Sequence, residues 1–65
     1  MPIVNVKLLP GRSGEQKQEL AQRITRAVQE TLNVGPDAVW ITFEEIPGAD
    51  WYVAGKALRP VRSEE

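Results

Sequence analysis

The sequence has 65 residues, eight Lys or Arg against nine Asp or Glu, a formal net charge of −1, and neither cysteine nor histidine. That balance excludes the basic field of a nucleic-acid binder, no apolar run approaches the roughly 18 residues of a membrane span, and the N-terminus lacks the basic-then-apolar order of a secretory signal. Chains this short bury only about 60% of the surface exposed on unfolding, and with disulfides and the common zinc frameworks closed off, association of copies is the expected source of stability.

Residues Ile3 to Leu9 read as a strand, with Val4, Val6 and Leu8 on one face and Asn5 and Lys7 on the other. Ile3 and Leu9 share the second face, so both faces are expected to be covered in the assembled protein. Pro10-Gly11 is a turn signal. Ser13 followed three residues later by Gln16 makes a capping box. Leu20, Ala21, Ile24, Ala27, Val28, Thr31 and Leu32 then recur at helical spacing, with Gln18, Glu19, Gln22, Arg23, Arg26 and Glu30 turned outward. Asn33, Gly35 and Pro36 end this helix. At 1.5 Å per residue its length is about 28 Å, ample for a crossover connection.

Val39 to Ile46 read as a second strand, with Val39, Ile41 and Phe43 on one face and Trp40, Thr42 and Glu44 on the other. Strand, long helix, strand predicts one right-handed β-α-β unit with parallel strands, an α/β fold. Pro47-Gly48 is a turn, and Trp51 to Leu58 forms a short hairpin or edge strand. The polar segment 59–65 is expected to be a loose tail of this single domain, residues 1–65. A two-stranded parallel sheet leaves unpaired edges and an open apolar face. Sheet extension across a dimer, with dimers stacked, would hide Ile3, Leu9 and Trp40. The expected product is a cytoplasmic homo-oligomer with no nucleic-acid or membrane partner.

Without His or Cys, the groups left for acid–base work are carboxylates, lysines, tyrosine and the chain terminus. Met1-Pro2 therefore stands out. Removal of an initiator Met before a small residue would leave a secondary amine at the start of a strand. Ordinary α-amino groups titrate at about 7.7–8.0, and desolvation or a nearby cation lowers an amine's pKa. A base tuned towards neutrality is worth roughly 10²–10⁴-fold in rate. The plainer reading is that proline at position 2 is incidental, since the residue is common everywhere.

Pro2-Ile3-Val4, Gly11-Arg12-Ser13, Glu15-Gln16-Lys17, the strand ending Glu44-Glu45, and Trp51-Tyr52-Val53-Ala54-Gly55-Lys56 resemble the 4-oxalocrotonate tautomerase family, from Pro2 to about Leu58. The resemblance implies a β-α-β subunit with a short C-terminal hairpin, a hexamer built as a trimer of dimers, and no cofactor or metal. It implies Pro2 as the general base, and Arg12 as the arginine that binds a substrate carboxylate, often in a neighbouring subunit's site. It places Trp51 where an aromatic residue keeps the amine dry, and Leu8 near the apolar wall. The competing readings are a solvated residue before a helix for Arg12, an interface anchor for Trp51 and core packing for Leu8.

One departure concerns substrate. Trp40 stands where the archetype carries a second arginine that binds the carboxylate and 2-oxo group. Its indole offers a single donor on a large apolar ring. A dicarboxylate such as 2-hydroxymuconate then needs a second cation from Arg59 or Arg62; otherwise the pocket suits a monocarboxylate with an apolar end, such as an aryl enolpyruvate. Trp40 serving subunit packing is the equal alternative. Glu44 and Glu45 point to opposite strand faces and do not form a two-carboxylate site. Lys56 reads as a surface residue, and Tyr52 points away from Trp51. The expected activity is keto–enol proton transfer on an unsaturated 2-oxo acid. The alternatives are a hydratase or dehalogenase using Glu45 or Asp50, and a non-catalytic oligomeric binding protein.

Overall fold

The computed structural model describes residues 1–60. Strand β1 (Ile3–Leu8) leads into helix α1 (Gly14–Leu32), a 3₁₀ turn at Pro36–Ala38, and strand β2 (Trp40–Glu45). A second 3₁₀ turn at Gly48–Asp50 precedes the two-residue strands β3 (Tyr52–Val53) and β4 (Lys56–Ala57).

The helix begins where the sequence signals it. Ser13 Oγ accepts from the Gln16 backbone N–H at 3.1 Å, and the Ser13 N–H donates to Gln16 Oε1 at 3.0 Å. Two N–H groups that the helix itself cannot satisfy are thereby paired. Asn33 closes the other end in the left-handed region at φ 58°, its N–H donating to the Gln29 carbonyl at 2.8 Å. Asparagine tolerates that conformation better than most residues, which is why it serves as a helix stop.

Strands β1 and β2 pair in parallel, in a register running from Ile3 opposite Trp40 to Leu8 opposite Glu45. Backbone bonds continue just past both ends, from the Trp40 N–H to the Pro2 carbonyl at 3.0 Å and from the Ile46 N–H to the Leu8 carbonyl at 2.9 Å. The strands are thus one residue shorter than the sequence pattern at Leu9, Val39 and Ile46, although the ladder itself extends to Ile46. The segment expected as a hairpin or an edge strand is a hairpin, with Tyr52 opposite Ala57 and Val53 opposite Lys56. Ala54 and Gly55 both take positive φ, 53° and 81°, as a two-residue turn with the right twist for a hairpin requires.

Val4, Val6, Leu8, Ile41 and Phe43 are half-buried on one face of the sheet, as are Ala21, Ile24 and Val28 of the helix. The apolar stripe of the helix is wider than one sheet can cover. Leu20 and Leu32 remain 41% and 56% exposed, and Ala27 and Thr31 are exposed as well. On the outer face of the sheet, Ile3 and Trp40 lie side by side at 64% and 52% exposure. Leu9, expected to share that face, lies beyond the end of β1 and is half-buried. Among the described residues only Gly48 is buried. A fold with so little interior needs further apolar cover from other copies.

Replacing Ser13 by Ala is expected to lower the unfolding free energy by about 1 kcal/mol per chain, because it leaves the Gln16 N–H unpaired. Urea denaturation of both proteins at one fixed protein concentration measures it, since assembly makes apparent stability concentration-dependent.

Candidate active site

The residues singled out from the sequence fall into two groups at opposite ends of β1. Pro2 and Trp40 form the first. Pro2 is half-buried at the start of the strand, and its carbonyl accepts the Trp40 backbone N–H at 3.0 Å. Trp40 shows half its surface on the outer face of the sheet, beside Ile3. Met1, 77% exposed, holds the Pro2 nitrogen in an amide bond, and that nitrogen becomes basic only once Met1 is removed.

Leu8, Arg12 and Trp51 form the second group. They line one open groove of about 490 Å³, walled by the turn from Leu9 through Gly11 and joined by Arg59. The local sequence explains the gathering. β1 stops at Leu8, and Pro10-Gly11 turns the chain so that Arg12 lies just ahead of the Ser13 helix cap. Trp51 follows the Gly48–Asp50 turn, its backbone N–H donating to the Gly48 carbonyl at 3.3 Å. Arg12 also borders a smaller depression of about 230 Å³ that includes Leu8, Lys17, Leu20 and Phe43. Leu8 touches both spaces, so packing and wall-forming are compatible roles for it.

Six residue steps of extended chain separate Pro2 from Leu8, about 20 Å at 3.3 Å per step. No arginine side chain bridges that interval to share a bound molecule with Pro2 of its own chain. That interval favours a pocket built from two copies over one confined to a single chain.

The electrostatics distinguish the groove from its surroundings. Lys7 pairs with Glu44 at 3.8 Å on the outer face, Lys17 with Glu45 at 2.7 Å on the helix side, and Arg23 with Glu19 along the helix. Arg12 and Arg59 take part in none of the ion pairs among the described residues, and the groove lining contains no carboxylate. Glu44 and Glu45 face opposite sides of the sheet, as the strand period requires, and each has its own lysine. Glu45 and Asp50, the two acids a hydratase would need, do not line the groove. Tyr52 and Lys56 lie exposed in the hairpin, away from the groove lining. Among the described residues no cluster of acidic side chains could hold a metal, and no helix is long and apolar enough to cross a membrane. Arg62 lies outside the described residues.

Gly48, whose carbonyl accepts both the Trp51 and Arg59 backbone N–H groups, is a buried position that periodicity did not single out. Its contribution depends on a close approach between two turns, for which a Pro-Gly pair is only a generic sign.

The family model described as tautomerase enzyme matches residues 2–59. A probable tautomerase of Halalkalibacterium halodurans is 47% identical over 58 residues, covering 89% of this chain and 95% of that protein. The 2-hydroxymuconate tautomerase of Bacillus subtilis is 41% identical over 58 residues, covering 89% and 94%. A structurally characterised heterohexamer 4-oxalocrotonate tautomerase from Chloroflexus aurantiacus superimposes with a TM-score of 0.85 at 32% identity, covering 95% of this chain and 100% of that one. The sheet, helix and hairpin described above are shared along nearly the whole length, and the chain belongs to the tautomerase family.

Proposed function

We propose that the protein isomerises unsaturated 2-oxo acids by moving a proton with the Pro2 amine after Met1 is removed. The observation that carries this reading is the pairing of a proline at the exposed start of β1 with an acid-free arginine groove at its far end. One end offers a base once Met1 is gone, and the other offers an anion receptor.

The reaction follows from those parts. The carboxylate of a 2-hydroxydienoate or enolpyruvate accepts hydrogen bonds from the Arg12 guanidinium, whose planar fork matches two carboxylate oxygens. The neutral Pro2 nitrogen takes the proton of the enol hydroxyl, and the C2–O bond becomes a carbonyl. The displaced electron pair shifts along the conjugated chain to a carbon, which receives the proton back from the Pro2 ammonium. Nothing else is consumed or released, and the scheme uses no cofactor. Trp51 and Leu8 exclude water, which keeps the amine neutral and strengthens the arginine contact. Trp40, beside Pro2, supplies an apolar surface for the far end of the substrate. That arrangement favours an aryl or alkenyl tail over a second carboxylate there.

The complete site forms between copies, and a homohexamer arranged as a trimer of dimers supplies the contacts. The apolar surface left open at Ile3, Trp40, Leu20 and Leu32 supports such burial. The protein is expected to act in the cytoplasm. The hydratase or dehalogenase alternative has less support, because Glu45 is engaged by Lys17 and the groove holds no acid to activate water.

With Met1 removed, Pro2→Ala is expected to lower turnover of phenylenolpyruvate by about 10²-fold or more, read by loss of enol absorbance. Unchanged turnover would refute the base assignment, and a mass showing Met1 retained in active protein would do the same.

Arg12→Ala is expected to raise KM by about 10- to 100-fold, the worth of a charge-assisted hydrogen-bond pair.

Co-refolding Pro2→Ala with Arg12→Ala chains is expected to restore part of the activity that each lacks alone, because some mixed sites pair an intact Pro2 with an intact Arg12. If the mixture does no better than the two parents averaged, the two residues do not come from different copies.

A further inference from the structure

The groove contains a second cation that the proton-transfer scheme leaves without a role. Arg12 enters from the turn before the helix, whereas Arg59 arrives from the far side of the hairpin, and the two line the same space with Trp51. Arg59 is not a loosely attached neighbour. Its backbone N–H donates to the Gly48 carbonyl at 3.2 Å, and the same carbonyl accepts the Trp51 N–H at 3.3 Å. The Leu58 N–H donates to the Trp51 carbonyl at 2.9 Å. The arginine and the tryptophan are therefore tied to one peptide group.

Gly48 also makes room for the Arg59 stem. A Cβ at position 48 would lie 1.9 Å from Arg59 Cγ and 2.9 Å from its Cβ, so any side chain there displaces the arginine. This is the one buried residue among those described, and what its missing side chain accommodates is the base of a charged residue. Both arginines border one groove, and no carboxylate of the groove lining offsets their two positive charges. A ligand with several acceptor oxygens on adjacent atoms answers both charges and uses both forks. The head of a 2-oxo acid, a carboxylate next to an enol or keto oxygen, has three such oxygens.

We infer that Arg59 is a second substrate-binding arginine, which joins Arg12 on the carboxylate and adjacent 2-oxygen of the substrate, and that Gly48 is the positioning residue that seats it. The inference rests on the reading of this groove as the carboxylate end of the active site. It assigns both cations to one head group, which leaves the Trp40 end free for an apolar tail.

The test combines steady-state kinetics on phenylenolpyruvate and 2-hydroxymuconate with calorimetric titration of phenylpyruvate. The titration uses the Pro2→Ala protein, so that binding is read without turnover. Arg59→Ala is expected to raise KM for both enols about 10- to 100-fold with a smaller change in kcat, and to weaken phenylpyruvate binding by a similar factor. Arg59→Lys, which keeps the charge and loses the fork, is expected to fall between. Gly48→Ala is expected to reproduce part of the loss with Arg59 intact, and native mass spectrometry checks that each variant still assembles. Unchanged KM and unchanged phenylpyruvate affinity in an assembled Arg59→Ala protein would overturn the proposal. So would a loss confined to the dicarboxylate, which would put Arg59 on a distal carboxylate, or an absence of saturable phenylpyruvate binding to the parent. Full turnover by Pro2→Ala alongside weakened titration in Arg59→Ala would instead sink the base assignment and leave the arginine pair standing.

Discussion

The parallel ladder between β1 and β2 is the constraint on which the rest depends. It is pinned at one end by the Trp40 N–H on the Pro2 carbonyl and at the other by the Ile46 N–H on the Leu8 carbonyl. A strand rises about 3.3 Å per residue, so the ladder sets the separation of Pro2 from the Arg12 groove. Helix α1 returns the chain between the two parallel strands and covers one face of the sheet, but it does nothing to shorten that separation. The chemistry proposed for the chain is therefore inseparable from assembly. An arginine side chain is much shorter than that interval, which disfavours a single small molecule meeting the amine and guanidinium of one copy.

The sheet also grades its outer face. Opposite pairs run from Ile3 and Trp40, through Asn5 and Thr42, to Lys7 and Glu44. The middle pair is joined by a hydrogen bond from the Asn5 amide to the Thr42 hydroxyl at 2.7 Å, and the last by an exposed ion pair. Exposed pairs of that kind contribute little free energy. They leave the Lys7–Glu44 end of the face polar and the Ile3–Trp40 end apolar. The apolar end coincides with Pro2, so the surface that favours association is also the surface that would enclose the amine.

Much of this was legible in the residues. The Ser13 and Gln16 spacing located the helix start, Asn33 its stop, and period-two alternation the inward faces of both strands. Pro2, Arg12, Trp51 and Leu8 were visible through their resemblance to the 4-oxalocrotonate tautomerase pattern, and the structure gathers the last three into one groove. The resemblance already implied that Arg12 serves a neighbouring subunit's site, but periodicity did not supply the distance that β1 sets between Pro2 and the Arg12 groove. A linear motif lists Pro2 and Arg12 as near neighbours, whereas a strand holds them apart. It also overstated what one chain buries. The Leu20–Leu32 stripe has the spacing of a core face, but a two-stranded sheet is too narrow to cover it, so Leu20 and Leu32 stay open. The sequence offers Arg59, beside Arg62, as a candidate second cation but also counts it in a loose tail, and how it is seated was not legible. That seating depends on a hydrogen bond and a missing Cβ at Gly48, eleven residues earlier, and neither leaves a periodic trace.

Stability and activity then draw on the same surfaces. The chain lacks the cysteines and histidines that give other small domains a covalent or metallic brace. Its interior is a single layer of half-buried side chains between one helix and two strands. Apolar area on Ile3, Trp40, Leu20 and Leu32 contributes roughly 25 cal/mol per Å² when another copy covers it, and nothing while it faces water. Association removes that area from solvent and, by the geometry of β1, is also what can place one copy's Pro2 against another's arginines. Substitutions that loosen contacts between copies should for that reason impair folding and catalysis together. Substitutions inside the groove, at Arg12 or Arg59, should separate the two, because they change what is bound without touching the apolar cover.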